Sequence, residues 1–293
     1  MRKILWIIAG LGILLLNACA PQTKAEEPGA GPLSVVAVNT TLADIAQDIA
    51  GERIEIEVLI PAEADPHTFQ PTPQDVAKIA NSQMLIANGA GLEEWLQEVI
   101  DNAGGERIVV EAAADLAGDE DRPGDPHFWL DPNHVIHYAN QIRDGLIELD
   151  PGGETIYARN TDEVIARLEE LDGWINEQVA VISPELRLLV TNHESFGYFA
   201  DRYGFVIVGT IIPSVSTGSS PSAQQMVALV EAIKATNTGA IFLEAGSNPD
   251  LAEQLASEAG IKVIKNLRTQ PQSEESYIEM MKYNTRVMVE ALR

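Results

Sequence analysis

The chain has 293 residues, room for two domains of ordinary size, and its 45% apolar content excludes both a disordered chain and a multi-span membrane protein. A formal charge of −25 argues against nucleic acid as a partner and attracts cations only diffusely.

The first residues read as a leader. Arg2-Lys3 are positive, Ile4 to Leu16 are apolar, and Leu16-Asn17-Ala18-Cys19 closes the run. This length, ending in small residues, suits a signal peptide over residues 1–18 better than a membrane span. Cys19 is the only cysteine, and its setting resembles the bacterial lipobox, which implies cleavage before Cys19 and acylation of its sulfur. The plainer reading is an ordinary signal peptide with an incidental cysteine. Both predict export, either with a lipid anchor on the outer face of the cell membrane or into the periplasm. With no other thiol, a bound metal has to be held by imidazole and carboxylate. Residues 19–32, rich in Pro, Gly and Ala, read as a flexible tether.

Residues 33–150 alternate strand and helix. Strands are predicted at Ser34–Val38, Arg53–Ile60, Met84–Ala87 and Arg107–Val110. Helices are expected over Leu42–Ala50, capped by Thr40-Thr41, from Thr72-Pro73, over Leu92–Ile100, and from Asp131-Pro132 to Leu149. Residues 114–126 form an acidic loop. Residues 151–184 hold a single long helix, since Tyr157, Val164, Leu168, Leu171, Ile175, Val179 and Ile182 recur on one face. From Glu154 to Ile182 it spans roughly 40 Å, with Gly173 a point of possible bending. A second alternating half, 185–293, follows. Its strands are expected at Arg187–Thr191, Val206–Ile211, Ala240–Glu244 and Lys262–Ile264, and its last helix over Ser276–Leu292. The fold class is therefore α/β: two Rossmann-like lobes of parallel sheet flanked by helices, joined by one long rigid linking helix.

Three histidines stand at element ends. His67 and His127 each close an Asp-Pro-His tripeptide, and His193 follows the first strand of the second half. Loops at strand ends are where α/β chains aim side chains into a cleft, so the three can meet around one metal ion between the lobes. Their spacing matches no short zinc motif. A solvated loop residue, a helix cap and a helix-terminal residue would look the same. His134 and His137, three apart on one helix, read as surface or packing residues, with a second metal site as the alternative. Asp65, Asp125 and Asp131 either orient imidazoles or simply make turns before proline.

Asp65-Pro66-His67-Thr68-Phe69-Gln70-Pro71-Thr72-Pro73, Asp125 to Pro132, Thr191 to Gly204 and Tyr277 to Asn284 together resemble, in order, segments of the zinc/manganese-binding solute-binding lipoproteins of ABC importers. That resemblance implies two lobes around a metal, modest movement on binding, and delivery of the ion to an ABC permease. It also implies that the third ligand position is usually His in zinc carriers and Glu in manganese carriers. His193 occupies it here, so Zn2+ is the expected cargo over Mn2+, in agreement with the preference of imidazole donors. The family commonly adds an aspartate from the last strand–loop. This chain has no Asp after Asp250, leaving Asn266, a water, or Glu274 or Glu275 for the fourth position, with Glu244 at the neighbouring strand end read rather as a supporting or structural residue than as that ligand. The family's His-rich loop is absent too.

The expectation is thus a monomeric carrier without enzymatic activity. Two alternatives belong to other classes. An exported zinc hydrolase would use Glu194 as base, although Gly197 stands where a His-Glu-x-x-His motif needs its second histidine. A surface adhesin would hold the metal for structure alone.

Overall fold

The computed structural model describes residues 32–116 and 122–293. The signal peptide, Cys19, nearly all of the tether, and residues 117–121 of the acidic loop lie outside the described residues. No described helix is long and apolar enough to cross a membrane.

Two four-stranded, wholly parallel sheets form, one in each half of the chain. The first comprises β1 (Val35–Ala37), β2 (Ile56–Val58), β3 (Met84–Ala87) and β4 (Ile108–Glu111), in the order β2-β1-β3-β4. The second comprises β5 (Leu188–Thr191), β6 (Val206–Thr210), β7 (Ala240–Glu244) and β8 (Lys262–Leu267), in the order β6-β5-β7-β8. Sequence explains which strands lie inside. β1, β3 and β7 are buried at every residue, and helices cover both faces of such strands, so their apolar runs need no alternation. The edge strands β2 and β4 alternate or are partly exposed.

The helices are α1 (Thr40–Ala50), α2 (Pro73–Asn81), α3 (Leu96–Ala103), α4 (Pro132–Leu149), α5 (Glu154–Val179), α6 (Gly197–Tyr203), α7 (Ala223–Thr236), α8 (Asp250–Ala259) and α9 (Tyr277–Leu292). Several ends differ from expectation for local reasons. Asn39, not Thr40 or Thr41, caps α1, accepting from the Leu42 N–H. The second strand is only three residues long. α3 starts at Leu96 because three consecutive left-handed residues, Gly89, Ala90 and Gly91, keep the preceding segment out of helix. β8 runs on to Leu267, with an irregularity in its pairing between Phe242 and Glu244.

The linking helix is continuous through Gly173 and spans about 39 Å for its 26 residues. Tyr157, Val164, Leu168, Leu171, Ile175 and Val179 are all buried along it, as the periodicity predicts. They join a core that includes Leu42 and Ile49 of α1, Ile142 of α4, Phe199 of α6 and Met281 of α9, so apolar packing runs unbroken from one half to the other. Polar ties reinforce it. The Trp129 indole N–H donates to Thr269 O at 2.7 Å, the Tyr277 hydroxyl to Trp129 O at 2.7 Å, and the Tyr277 N–H to Asp44 at 2.8 Å. Separating the halves would expose apolar surface at roughly 25 cal/mol per Å2, which favours a stiff link over a free hinge.

Candidate metal centre

In both sheets the loops at the carboxyl ends of the strands face one cleft of about 460 Å3. His67 lies in the loop after β2, His127 follows the loop after β4, and His193 comes two residues after β5. The structure brings all three together. Nε2 of His127 lies 3.2 Å from Nε2 of His67 and 3.2 Å from Nε2 of His193. Two imidazole nitrogens that close can share one proton, but three converging on a point cannot all be satisfied that way. A tetrahedral ion with nitrogen ligands at 2.0–2.1 Å would set them roughly 3.3 Å apart. Among the described residues, this is the one group of three or more His, Cys, Asp or Glu side chains close enough to hold a metal ion.

The backs of two rings are held by carboxylates. His127 Nδ1 hydrogen-bonds Asp125 Oδ1 at 2.7 Å, and the same oxygen accepts the His127 backbone N–H at 3.0 Å. His193 Nδ1 lies at an ion-pair distance of 2.9 Å from Glu244 Oε1 without hydrogen-bond geometry, and that oxygen accepts from the Ser195 hydroxyl. A carboxylate on Nδ1 keeps the proton there and leaves the Nε2 lone pair free to ligate. His67 is half-buried, and no carboxylate among the described residues hydrogen-bonds its ring. Asp65 instead accepts its backbone N–H at 2.9 Å and takes the Thr217 hydroxyl with its other oxygen.

Electrostatics keep two of the rings uncharged. Burial, then the neighbouring imidazoles, push His67 down to about 4. Burial, then His193, hold His127 well below its ordinary value. His193 moves the other way: burial opposes charge there, but Glu244, with Asp65 and Asp125 behind it, outweighs burial and raises it. Burial also lifts Asp125 to about 6, against its hydrogen bond from His127 and the charge of Arg122.

The remaining candidates are placed as follows. Glu244 is buried at the cleft wall on the Nδ1 side of His193, and its carboxylate does not join the group formed by the three imidazoles. Asn266 does not face the cleft. It is exposed, with φ 70, at the pairing irregularity of β8, because the strand is longer than its apolar stretch suggests and the following loop starts later. Glu274 is also exposed and away from the cleft, and Glu275 is engaged with Arg268. Sequence reasoning missed Gln270. It lines the cleft, is 4% exposed, and its Oε1 has no hydrogen-bond partner among the described residues. Its one signal was position, directly after the last strand on the same sheet edge as His193.

Asp131 orients no imidazole. It caps α4, accepting from the Asn133 N–H at 2.8 Å. His134 packs edge-on against Phe128 and Tyr198, and His137 faces the Ala114 carbonyl, so no second metal site forms there. Glu194 is exposed and lies outside the histidine cleft, which leaves the hydrolase reading without its base.

Comparison with known proteins places the chain in a family. Residues 35–291 match the family described as zinc-uptake complex component A, periplasmic. The manganese-binding lipoprotein MntA of Halalkalibacterium halodurans is 31% identical, over 100% of this chain and 99% of its own. The iron ABC transporter substrate-binding lipoprotein MtsA of Streptococcus pyogenes serotype M1 is 29% identical, over 100% and 99%. Among solved structures, the periplasmic zinc binding protein TroA from Treponema pallidum superposes with a TM-score of 0.83 at 26% identity, over 89% of this chain and 99% of that one. The chain belongs to the periplasmic zinc-uptake component A family: it is an exported substrate-binding protein that carries a metal ion to an ABC importer, and not an enzyme.

Proposed function

We propose that this carrier takes zinc in preference to manganese, binding it through Nε2 of His67, His127 and His193. The observation that carries the reading is the convergence of those three atoms, with Asp125 and Glu244 on the far sides of two rings. The relatives named above bind manganese, iron or zinc, so the donor atoms have to decide the cargo. Imidazole suits zinc, whereas manganese favours carboxylate, carbonyl and water, and here the nearby carboxylates face ring nitrogens. The orphaned Oε1 of Gln270, directly or through a water, supplies the fourth position. An amide oxygen brings no charge, so the donor set stays neutral and softer than one with an aspartate.

All three imidazoles come from one chain, so a monomer suffices. Acylated Cys19 holds it to the membrane, and the ABC permease receives the ion. The test of cargo is an X-ray absorption spectrum of the zinc-loaded protein. Three nitrogen scatterers of imidazole type and one light-atom ligand near 2.0–2.1 Å support the reading. A six-coordinate oxygen shell would refute it. For the anchor, Cys19→Ser should release the protein from membranes, and retention there would count against acylation.

A further inference from the structure

Both Asp-Pro-His tripeptides of the first half are gripped by one short segment, Asn88 to Trp95, between β3 and α3. In each tripeptide the aspartate accepts the N–H of the histidine two residues on. The other end of the same peptide group, the proline carbonyl, is taken from the 88–95 segment. Trp95 donates its indole N–H to Pro66 O at 3.0 Å, and Asn88 donates its amide to Pro126 O at 3.1 Å. Each histidine thus hangs from a peptide plane pinned at both polar ends. A peptide so held cannot rock about its flanking bonds without breaking a hydrogen bond, and the imidazole it carries keeps its place.

The grip is itself braced. Asn88 is 1% exposed and its amide is fully engaged, Nδ2 donating also to Gly89 O and Oδ1 accepting the Tyr138 hydroxyl at 2.6 Å. That hydroxyl fixes which end of the amide faces Pro126. Buried Glu93 accepts the Asn88 and Gly89 N–H groups at 3.1 and 3.2 Å, holding the left-handed run Gly89-Ala90-Gly91 in place. The Trp95 ring packs against Phe69, two residues beyond His67, at 5.3 Å between centroids.

We infer that Asn88 and Trp95 are positioning residues for the metal centre, setting the separation of His127 and His67 through the carbonyls of Pro126 and Pro66. The inference rests on the three-histidine reading. Neither residue touches the cargo, and both act through the peptide before a ligand.

Trp95→Phe removes one N–H and keeps the aromatic packing. Tyr138→Phe removes the hydroxyl that orients Asn88. Thr285→Val, which deletes a buried hydroxyl bonded within α9, is the control for stability alone. For each purified protein, zinc affinity is measured by chelator competition, the metal-free melting point is recorded, and the visible spectrum is taken with cobalt(II) in the site. Trp95→Phe and Tyr138→Phe should each weaken zinc about tenfold or more, the range seen when groups supporting a ligand are removed, and should shift or weaken the cobalt bands. Thr285→Val should lower the melting point and leave affinity and spectrum unchanged. If both aromatic variants keep wild-type affinity and spectrum while His127→Ala weakens zinc on the order of 100-fold, Asn88 and Trp95 only satisfy buried carbonyls, and the inference fails with the metal site intact. If the wild-type protein binds neither ion, both the inference and the reading beneath it fall.

Discussion

The two Asp-Pro-His tripeptides are identical in sequence and share one local hydrogen bond, yet their histidines end up in different states. In each, the aspartate accepts the N–H of the histidine, at 2.9 Å for His67 and 3.0 Å for His127. Only Asp125 also reaches its own imidazole. Asp65 spends its second oxygen on Thr217, from the other half of the chain, and His67 stays half-buried where His127 is 1% exposed. Three residues set the shared hydrogen bond, and what packs around them sets the state of the imidazole. In the proposed site His127 is backed by Asp125, and His67 has no carboxylate on its ring among the described residues.

The largest effects should come from the ligands themselves. Structural zinc sites contribute about 10–16 kcal/mol over four ligands, so losing one imidazole costs about 3 kcal/mol, on the order of 100-fold in affinity. His127→Ala and His67→Ala should both reach that loss in a calorimetric titration. They should part on adding millimolar imidazole, which restores binding at the accessible His67 position and not at the buried His127 one. Equal rescue would erase the distinction.

The aspartates give the next effect. Asp125→Asn loses the charge that holds the His127 proton on Nδ1 and should weaken zinc about 10–100-fold. Asp65→Asn keeps an oxygen for the His67 N–H and should cost less than about tenfold. The reverse order, from the same titration, would mean that Asp65 and not Asp125 governs its imidazole.

Proton release sharpens the comparison further. Burial opposes charge on His193, but Glu244 outweighs it and raises that imidazole, so it holds its proton more firmly than a free histidine and zinc must displace it. His67, pushed down to about 4, is already neutral. Affinity should therefore fall as pH drops and His193 gains its proton, and zinc uptake should release protons, counted by calorimetry in buffers of different ionisation heat. His193→Ala should remove most of that release, whereas His67→Ala should not.

The smallest effect lies outside the cleft and concerns stability. Asp44, half-buried where α1 meets the start of α9, is raised to about 6 mainly by loss of solvent, against its hydrogen bond from Tyr277. A carboxyl raised in the folded state is stabilising when protonated. That contribution is present below about 3.8 and is lost as pH rises through about 6. Asp44→Asn, still able to accept from Tyr277, should thus raise the melting point at pH 7.5, by up to about 2 kcal/mol of stability, and change little at pH 4. Zinc affinity should not move.

Much of the fold was legible because apolar periodicity reports burial directly. The stripe from Tyr157 to Val179 gave the linking helix, and the runs at Val35, Met84 and Ala240 gave the central strands. The three histidines were legible as well, since each follows a strand whose end can be read. Asn266 was misplaced for a related reason. β8 continues through Lys265 and Asn266, two polar residues of an edge strand that carry no apolar signal, so the loop holding Gln270 lies further along. Glu244 could be read as buried near the site but not as the partner of His193 Nδ1, because that contact joins two strand ends 51 residues apart. Asn88 and Trp95 left no signal at all: a side chain that serves the backbone of a distant loop looks like any other polar or aromatic residue.

The central claim is a neutral, imidazole-rich site that selects zinc. Its most direct test is a paired zinc and manganese titration of the exported protein, repeated with His193→Ala. One zinc per chain, bound far more tightly than manganese and weakened on the order of 100-fold in the variant, is the predicted result. Manganese bound as tightly as zinc, or a zinc affinity unchanged by His193→Ala, would contradict it.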